Sequence, residues 1–190
     1  MRRLMTIVLT AAVMVAVAHA DTSPDSDTIA LFRNAGASAG FFDNCYGYAV
    51  FPSVGQGALI IGGAYGNGRV YEHDKYVGDV SMTQVSVGLQ AGGKAYSMIV
   101  FLEDKRAFDE FTGGNYEFGA DATAVAITAA ASGQVGTTGA NAGASGGMKD
   151  ARTAGKYYKG FAVFTIVKGG AMVQAAVAGQ KFSYTPRSRG

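Results

Sequence analysis

The segment Phe161–Lys168, FAVFTIVK, is apolar at odd and even positions alike. A strand points alternate side chains to opposite faces, so this stretch requires cover on both sides. A second apolar run, AMVQAAVAGQKFSY, follows from Ala171 to Tyr184, and Gly169-Gly170 between the two predicts a hairpin. Pairing Lys168 with Ala171 puts Ala162, Phe164, Ile166, Val173, Ala175 and Val177 on one face. Phe161, Val163, Val167, Met172, Ala176 and Ala178 take the other. Such a hairpin sits in a two-sided core or lines an apolar cavity.

Upstream, apolar runs alternate with glycine-rich breaks. YGYAVFPSV and ALIIGGAY read as strands around a Gly55-Gln56-Gly57 turn, and Gly66-Asn67-Gly68 reads as a hairpin into RVYEH. His73-Asp74-Lys75 is the next turn. Between Val77 and Ala91 the apolar positions slip from even to odd, which predicts a bulge near Thr83-Gln84. Gly92-Gly93 predicts a hairpin into KAYSMIVFL. Two helices are expected, one capped by Ser26 or Asp27 and running through Ala35, the other from Glu103 to Phe111 with Ala107, Phe108 and Phe111 inward. A short helical turn is expected within Ala37–Asn44. Residues 129–147 are almost wholly Ala, Gly, Ser and Thr, too poor in apolar bulk to offset backbone entropy, and predict a long mobile loop.

Residues 1–20 have the layout of a secretory signal peptide. Arg2 and Arg3 precede an apolar stretch from Leu4 to Val17, and Ala18-His19-Ala20 forms an A-x-A cleavage site. The mature chain then begins at Asp21 and carries no net charge, but its charge is unevenly spread. Residues 21–148 hold six basic and thirteen acidic side chains; residues 149–190 hold eight basic and one acidic. That asymmetry points to an anionic partner, or to two parts that neutralise each other within one fold.

One cysteine and two histidines exclude a disulfide framework, a His/Cys zinc cage and a CxxC redox pair. Cys45, beside Phe41, Phe42, Tyr46 and Tyr48, is expected to be buried. GLQAGGKA, Gly88 to Ala95, has the spacing of a phosphate loop. It carries Ala95 where a magnesium-binding hydroxyl is needed, and it lies between strands. His73, flanked by Glu72 and Asp74, is the candidate general base, but it sits in a turn and no G-x-S-x-G elbow exists. Asp25, Asp27, Glu103, Asp104, Asp109 and Glu110 read as helix-cap and helix-surface acids. DTSPDSD lacks the spacing of a calcium loop. A non-enzymatic protein without metal or cofactor is expected, with no nucleic-acid partner.

YAVFPSVGQGALIIGG (Tyr48–Gly63), SVGLQAGG (Ser86–Gly93), VFLEDKRAFDEF, FGADAT and KGFAVFTIVKGGAMVQAAVAGQKFSY occur in series between Phe42 and Tyr184. Together they resemble the SYLF lipid-binding domain family, whose S-x-G-x-Q-x-G signature SVGLQAGG resembles. The resemblance implies an antiparallel sheet and phospholipid binding. Eukaryotic members act beside actin; with its export leader this chain resembles the secreted bacterial branch, where actin is not an expected partner. The expectation is therefore an α+β single domain over 21–190, with an antiparallel, strongly twisted or barrel-like sheet and a few short helices. It binds phospholipid at a membrane surface in the periplasm or outside the cell, through apolar surface and Lys149, Arg152, Lys156, Lys159, Lys168 and Lys181. The alternatives are a structural protein binding envelope proteins by a sheet edge or the glycine-rich loop, and a hydrolase using His73.

Overall fold

A computed structural model describes residues 23–57, 62–86, 94–119, 122, 124–127, 156–168 and 179–188. The signal-peptide reading, the phosphate-loop segment up to Gly93 and the 129–147 loop lie outside these residues. Two helices, α1 (Pro24–Asn34) and α2 (Lys105–Thr112), and a 3-10 turn at Ala39–Phe41 accompany eight strands. These are β1 (Gly47–Gly57), β2 (Gly62–Glu72), β3 (Lys75–Ser86), β4 (Lys94–Leu102), β5 (Asn115–Glu117), β6 (Ala124–Ile127), β7 (Phe161–Lys168) and β8 (Gln180–Pro186). They form one sheet in the order β5-β8-β3-β2-β1-β4-β7-β6. Every neighbouring pair is antiparallel except β6 with β7.

That order forces curvature. β5 and β6 are the two ends of the sheet, yet only the short stretch after Glu117 and before Ala124 separates them in the chain. A flat sheet would hold them about 34 Å apart at ~4.8 Å per strand, whereas the linking chain extends to only ~25 Å. The sheet is curled into an incomplete barrel, as expected for a twisted or barrel-like α+β fold.

Curling gives two apolar cores. Inside lie Ala49, Phe51 and Val54 of β1, Val80 and Met82 of β3, the even positions Tyr96 to Leu102 of β4, Phe161 and Val163 of β7, and Phe182 of β8. α2 closes one end with Ala107, Phe108 and Phe111. It starts where Asp104 accepts from the Ala107 N–H (2.8 Å), satisfying a first-turn donor. Outside, Tyr48, Ile99, Phe101, Ala162, Phe164 and Ile166 are covered by Phe32 and Ala35 of α1 and by Phe41 and Phe42 beside the 3-10 turn. The two-sided burial expected for Phe161–Lys168 is met by these two cores: Phe161 and Val163 face inward, Ala162, Phe164 and Ile166 outward.

Several local expectations are corrected. β7 pairs with β4 along one edge and, at Val163–Ile166, with β6 along the other; the returning strand expected over 171–178 lies outside the described residues. β8 lies across the sheet beside β3. β3 and β4 are likewise separated by β2 and β1, so no hairpin joins them. Gly55–Gly57 form the last residues of β1 and Gly66–Gly68 lie within β2, so neither is a turn. Gly66 and Gly68 lie where neighbouring side chains cross the barrel wall. A Cβ on Gly68 would come within 2.7 Å of the Phe51 ring, and one on Gly66 within 2.8 Å of a Val54 methyl. Close approach selects glycine here. Register is continuous through Thr83-Gln84, and the β2–β3 irregularity falls instead opposite Val70/Tyr71. Gln84 faces in with Val80 and Met82, so the apparent phase slip marks a buried polar residue. Finally, Ser23 caps α1, accepting from Ser26 N–H at 3.4 Å, with Pro24 in the first turn.

Candidate functional site

The interior offers little room for a ligand at the α2 end. Phe111, Tyr116, Phe118, Phe161 and Phe182 stack and tilt against one another with ring centres 4.8–6.5 Å apart. Away from α2 the interior turns polar: the Gln180 amide N–H faces the Gln84 carbonyl at 3.5 Å and the Tyr96 hydroxyl at 3.4 Å. Burial pushes the Tyr96 phenol up to about 12.

The outer surface carries the charged candidates. Lys156 and Lys159 lie in the segment leading into β7, both exposed, on either side of Tyr157 and Tyr158. The turn is held firmly. Lys159 has φ +52° and Gly160 φ +89°; Arg106 donates to the Lys159 carbonyl at 3.1 Å, and Tyr158 and Phe161 exchange backbone hydrogen bonds of 2.8 and 3.0 Å. Tyr158 is thereby left 37% exposed, its ring 5.2 Å from the Lys159 ammonium. Lys168 ends β7 at the other end of the sheet, opposite Ala95. Lys181 is on β8 opposite Thr83, with Glu117 at 3.5 Å. Lys156 and Lys159 thus share one exposed segment, whereas Lys168 and Lys181 lie on strands β7 and β8. Lys149 and Arg152 lie outside the described residues.

Among the described residues, two clefts flank α1. One, of about 450 Å³, lies between Pro24-Asp25 and the middle of β2, under the exposed ring of Tyr65. Its charges are mutually satisfied: Arg69 lies 2.5 Å from buried Asp25 and 3.9 Å from Asp79. Burial nonetheless raises the Asp25 carboxyl above its ordinary range, outweighing the attraction of Arg69. The other cleft, of about 560 Å³, lies where the 3-10 turn meets the end of β4 and the segment before β7; Phe41, Asn44, Glu103, Lys156 and Tyr157 line it. Phe41 links it to the outer core, with ring centres 5.1 Å from Tyr157, 5.4 Å from Phe101 and 4.9 Å from Phe164. The Tyr157 hydroxyl is buried without a hydrogen-bond partner among the described residues. Glu103, which in sequence reads as an ordinary helix-surface acid, and the two tyrosines gain their significance only from this packing.

His73 and Asp74 form the β2–β3 turn at φ +47° and +62°, as the sequence suggests. The imidazole packs 4.5 Å from the Tyr46 ring. Asp74 is engaged by Arg33 at 2.8 Å and by the Tyr48 hydroxyl at 2.9 Å. Cys45 is half-buried at the edge of the outer core, and burial raises its thiol to about 11. Among the described residues no cluster of three His, Cys, Asp or Glu side chains could hold a metal, and no helix is long and apolar enough to cross a membrane.

The molecule is an α+β domain in which a curled sheet is packed with aromatics inside and carries its charged candidates on the outer surface. The family described as Las17-binding protein actin regulator, Ysc84, matches residues 83–186. The chain belongs to this family, also called SYLF, which is associated with lipid binding. It is also similar to Beta cell expansion factor A of Aeromonas veronii, at 29% identity over 172 residues, 85% of this chain and 54% of the relative. The chain spans about half the length of that curated relative.

Proposed function

We propose that this is a non-enzymatic phospholipid-binding protein that meets an anionic membrane surface in the bacterial envelope. Family membership is the observation that carries the reading. Tyr158 supports it, because its exposed ring beside the Lys159 ammonium suits the level of lipid headgroups. Each lysine near an anionic surface adds on the order of 1 kcal/mol. Lys149, Arg152, Lys168 and Lys181 complete the proposed basic set. The leader-like residues 1–20 favour an exported protein, and with it a partner other than actin.

Co-sedimentation with vesicles of rising anionic content tests the proposal. Binding is expected to grow with anionic fraction, fall as salt rises, and weaken when Lys156, Lys159 and Lys181 are replaced by Gln, with folding nearly unchanged. Salt-independent binding that tolerates all three changes would move the contact to apolar surface. No binding at any composition would favour envelope proteins as partners instead.

A further inference from the structure

The cleft beside the 3-10 turn holds one carboxylate and one ammonium, Glu103 and Lys156, and neither forms an ion pair among the described residues. In the other cleft Asp25, Arg69 and Asp79 satisfy one another instead. An occupant of the first cleft meets both signs at once, so a zwitterion matches it where a simple anion or cation does not. Asn44 sharpens the choice. Its Nδ2 donates to the Gly40 carbonyl at 3.0 Å, so the amide keeps its Oδ1 as an acceptor in the same cleft lining as Glu103. Two acceptors in the lining favour a primary ammonium, which brings N–H donors, over a quaternary one, which brings none. Lys156, in the same lining, provides three donors for anionic oxygens. Phe41 and Tyr157 form an apolar wall continuous with the outer core, and about 560 Å³ exceeds what the charged ends alone require.

Resting on the membrane-surface reading above, we propose that this cleft binds a phosphoethanolamine group, with the ammonium at Glu103 and Asn44 and the phosphate at Lys156. The group is available both as a lipid headgroup and as a free phosphomonoester.

The test compares the full chain on vesicles of phosphatidylcholine, of phosphatidylcholine with phosphatidylethanolamine, and of phosphatidylcholine with phosphatidylglycerol, alongside titration with soluble O-phosphoethanolamine. Wild type is expected to prefer the ethanolamine vesicles to phosphatidylcholine alone by about tenfold, the scale of one or two charge-assisted hydrogen bonds. Glu103→Gln removes that preference while keeping phosphatidylglycerol binding, and Lys156→Gln weakens both; circular dichroism verifies that each variant folds. Saturable binding of soluble O-phosphoethanolamine, lost in Glu103→Gln, would show that the free compound is also a ligand. Its absence, with the vesicle preference intact, would restrict the site to the lipid. Equal binding to ethanolamine and choline vesicles, or a preference that survives Glu103→Gln, overturns the proposal. If phosphatidylglycerol binding persists in that case, the membrane-surface reading stands without it; if no vesicle is bound, both fall.

Discussion

Phe51 and Phe32 are both 0% exposed, but they are held by different means. Phe51 lies inside the curled sheet, its ring against the glycine surface of Gly68 and 5.7 Å from Phe182, in a core fed by strands from across the chain. Phe32 lies under α1, an eleven-residue helix fixed by its own apolar face and by two ion pairs, Asp25 with Arg69 and Arg33 with Asp74. The interior cannot open without breaking the sheet. The outer core opens if one helix lifts. A fold of this kind separates its scaffold from its adaptable surface, and the cleft of Glu103 and Lys156 and the Tyr158 turn both belong to the surface.

Replacing each phenylalanine tests that distinction most strongly. Phe51→Ala is expected to cost ~3–5 kcal/mol in chemical denaturation, the range for emptying a close-packed aromatic site. Phe32→Ala is expected to cost at least about 1 kcal/mol less, because undocking of α1 limits its cost. Hydrogen exchange would then show lost protection in α1 with β2 and β3 still protected. Equal costs with uniform loss of protection would erase the difference between the cores.

The helix caps give a smaller version of the same contrast. Ser23→Ala and Asp104→Ala each remove one side-chain acceptor, worth ~1 kcal/mol. Loss of the Ser23 cap is expected to fray α1 alone. Loss of the Asp104 cap loosens α2, the end-plug of the interior, and lowers the midpoint for the whole sheet. A global effect from Ser23→Ala would contradict this.

Cys45 reports on the outer core without altering it. Its thiol, raised to about 11 by burial, is expected to react slowly with alkylating agents at neutral pH and faster as pH approaches that value. The raised value contributes stability fully present below the unfolded thiol's pKa and lost as pH rises through about 11. Phe32→Ala should speed alkylation near pH 8, whereas a rate as fast as that of unfolded chain in the wild type would show the outer core already open.

The smallest effect is expected at Asp25. Its folded pKa is raised, so its favourable contribution is present below the ordinary carboxylate pKa and lost as pH rises through the raised value. Mild acidification therefore does not detach α1 through this residue. Asp25→Asn at pH 7 is expected to change stability by less than about 1 kcal/mol, since Arg69 is partly solvated and retains Asp79 nearby. A large loss would mean that the ion pair, rather than the apolar face, holds the helix.

The legible parts of this architecture were those written in local pattern. The two-sided apolar run at Phe161–Lys168, the amphipathic face of Ala107, Phe108 and Phe111, and the His73-Asp74 turn all depend on neighbours in sequence. What escaped the sequence depends on closure. Gly66 and Gly68 carry the residues of a turn, and only the crossing of Phe51 and Val54 over them explains their place in a strand. The separation of β7 from β8 follows from strand order, which hairpin-like spacing cannot reveal. At the surface, the exposed segment shared by Lys156 and Lys159 was readable from their proximity in the chain. The meeting of Lys156 with Glu103 and Asn44 was not, because three separate segments build that cleft.

Hydrogen exchange with and without anionic vesicles tests the central claim most directly, that the sheet interior is scaffold and the outer surface meets lipid. Added vesicles are expected to increase protection at residues 156–160 and around the 3-10 turn, and to leave the interior strands β2 and β3 unchanged. Protection that rises instead along β2 and β3, or that does not change anywhere while the protein sediments with the vesicles, would contradict it.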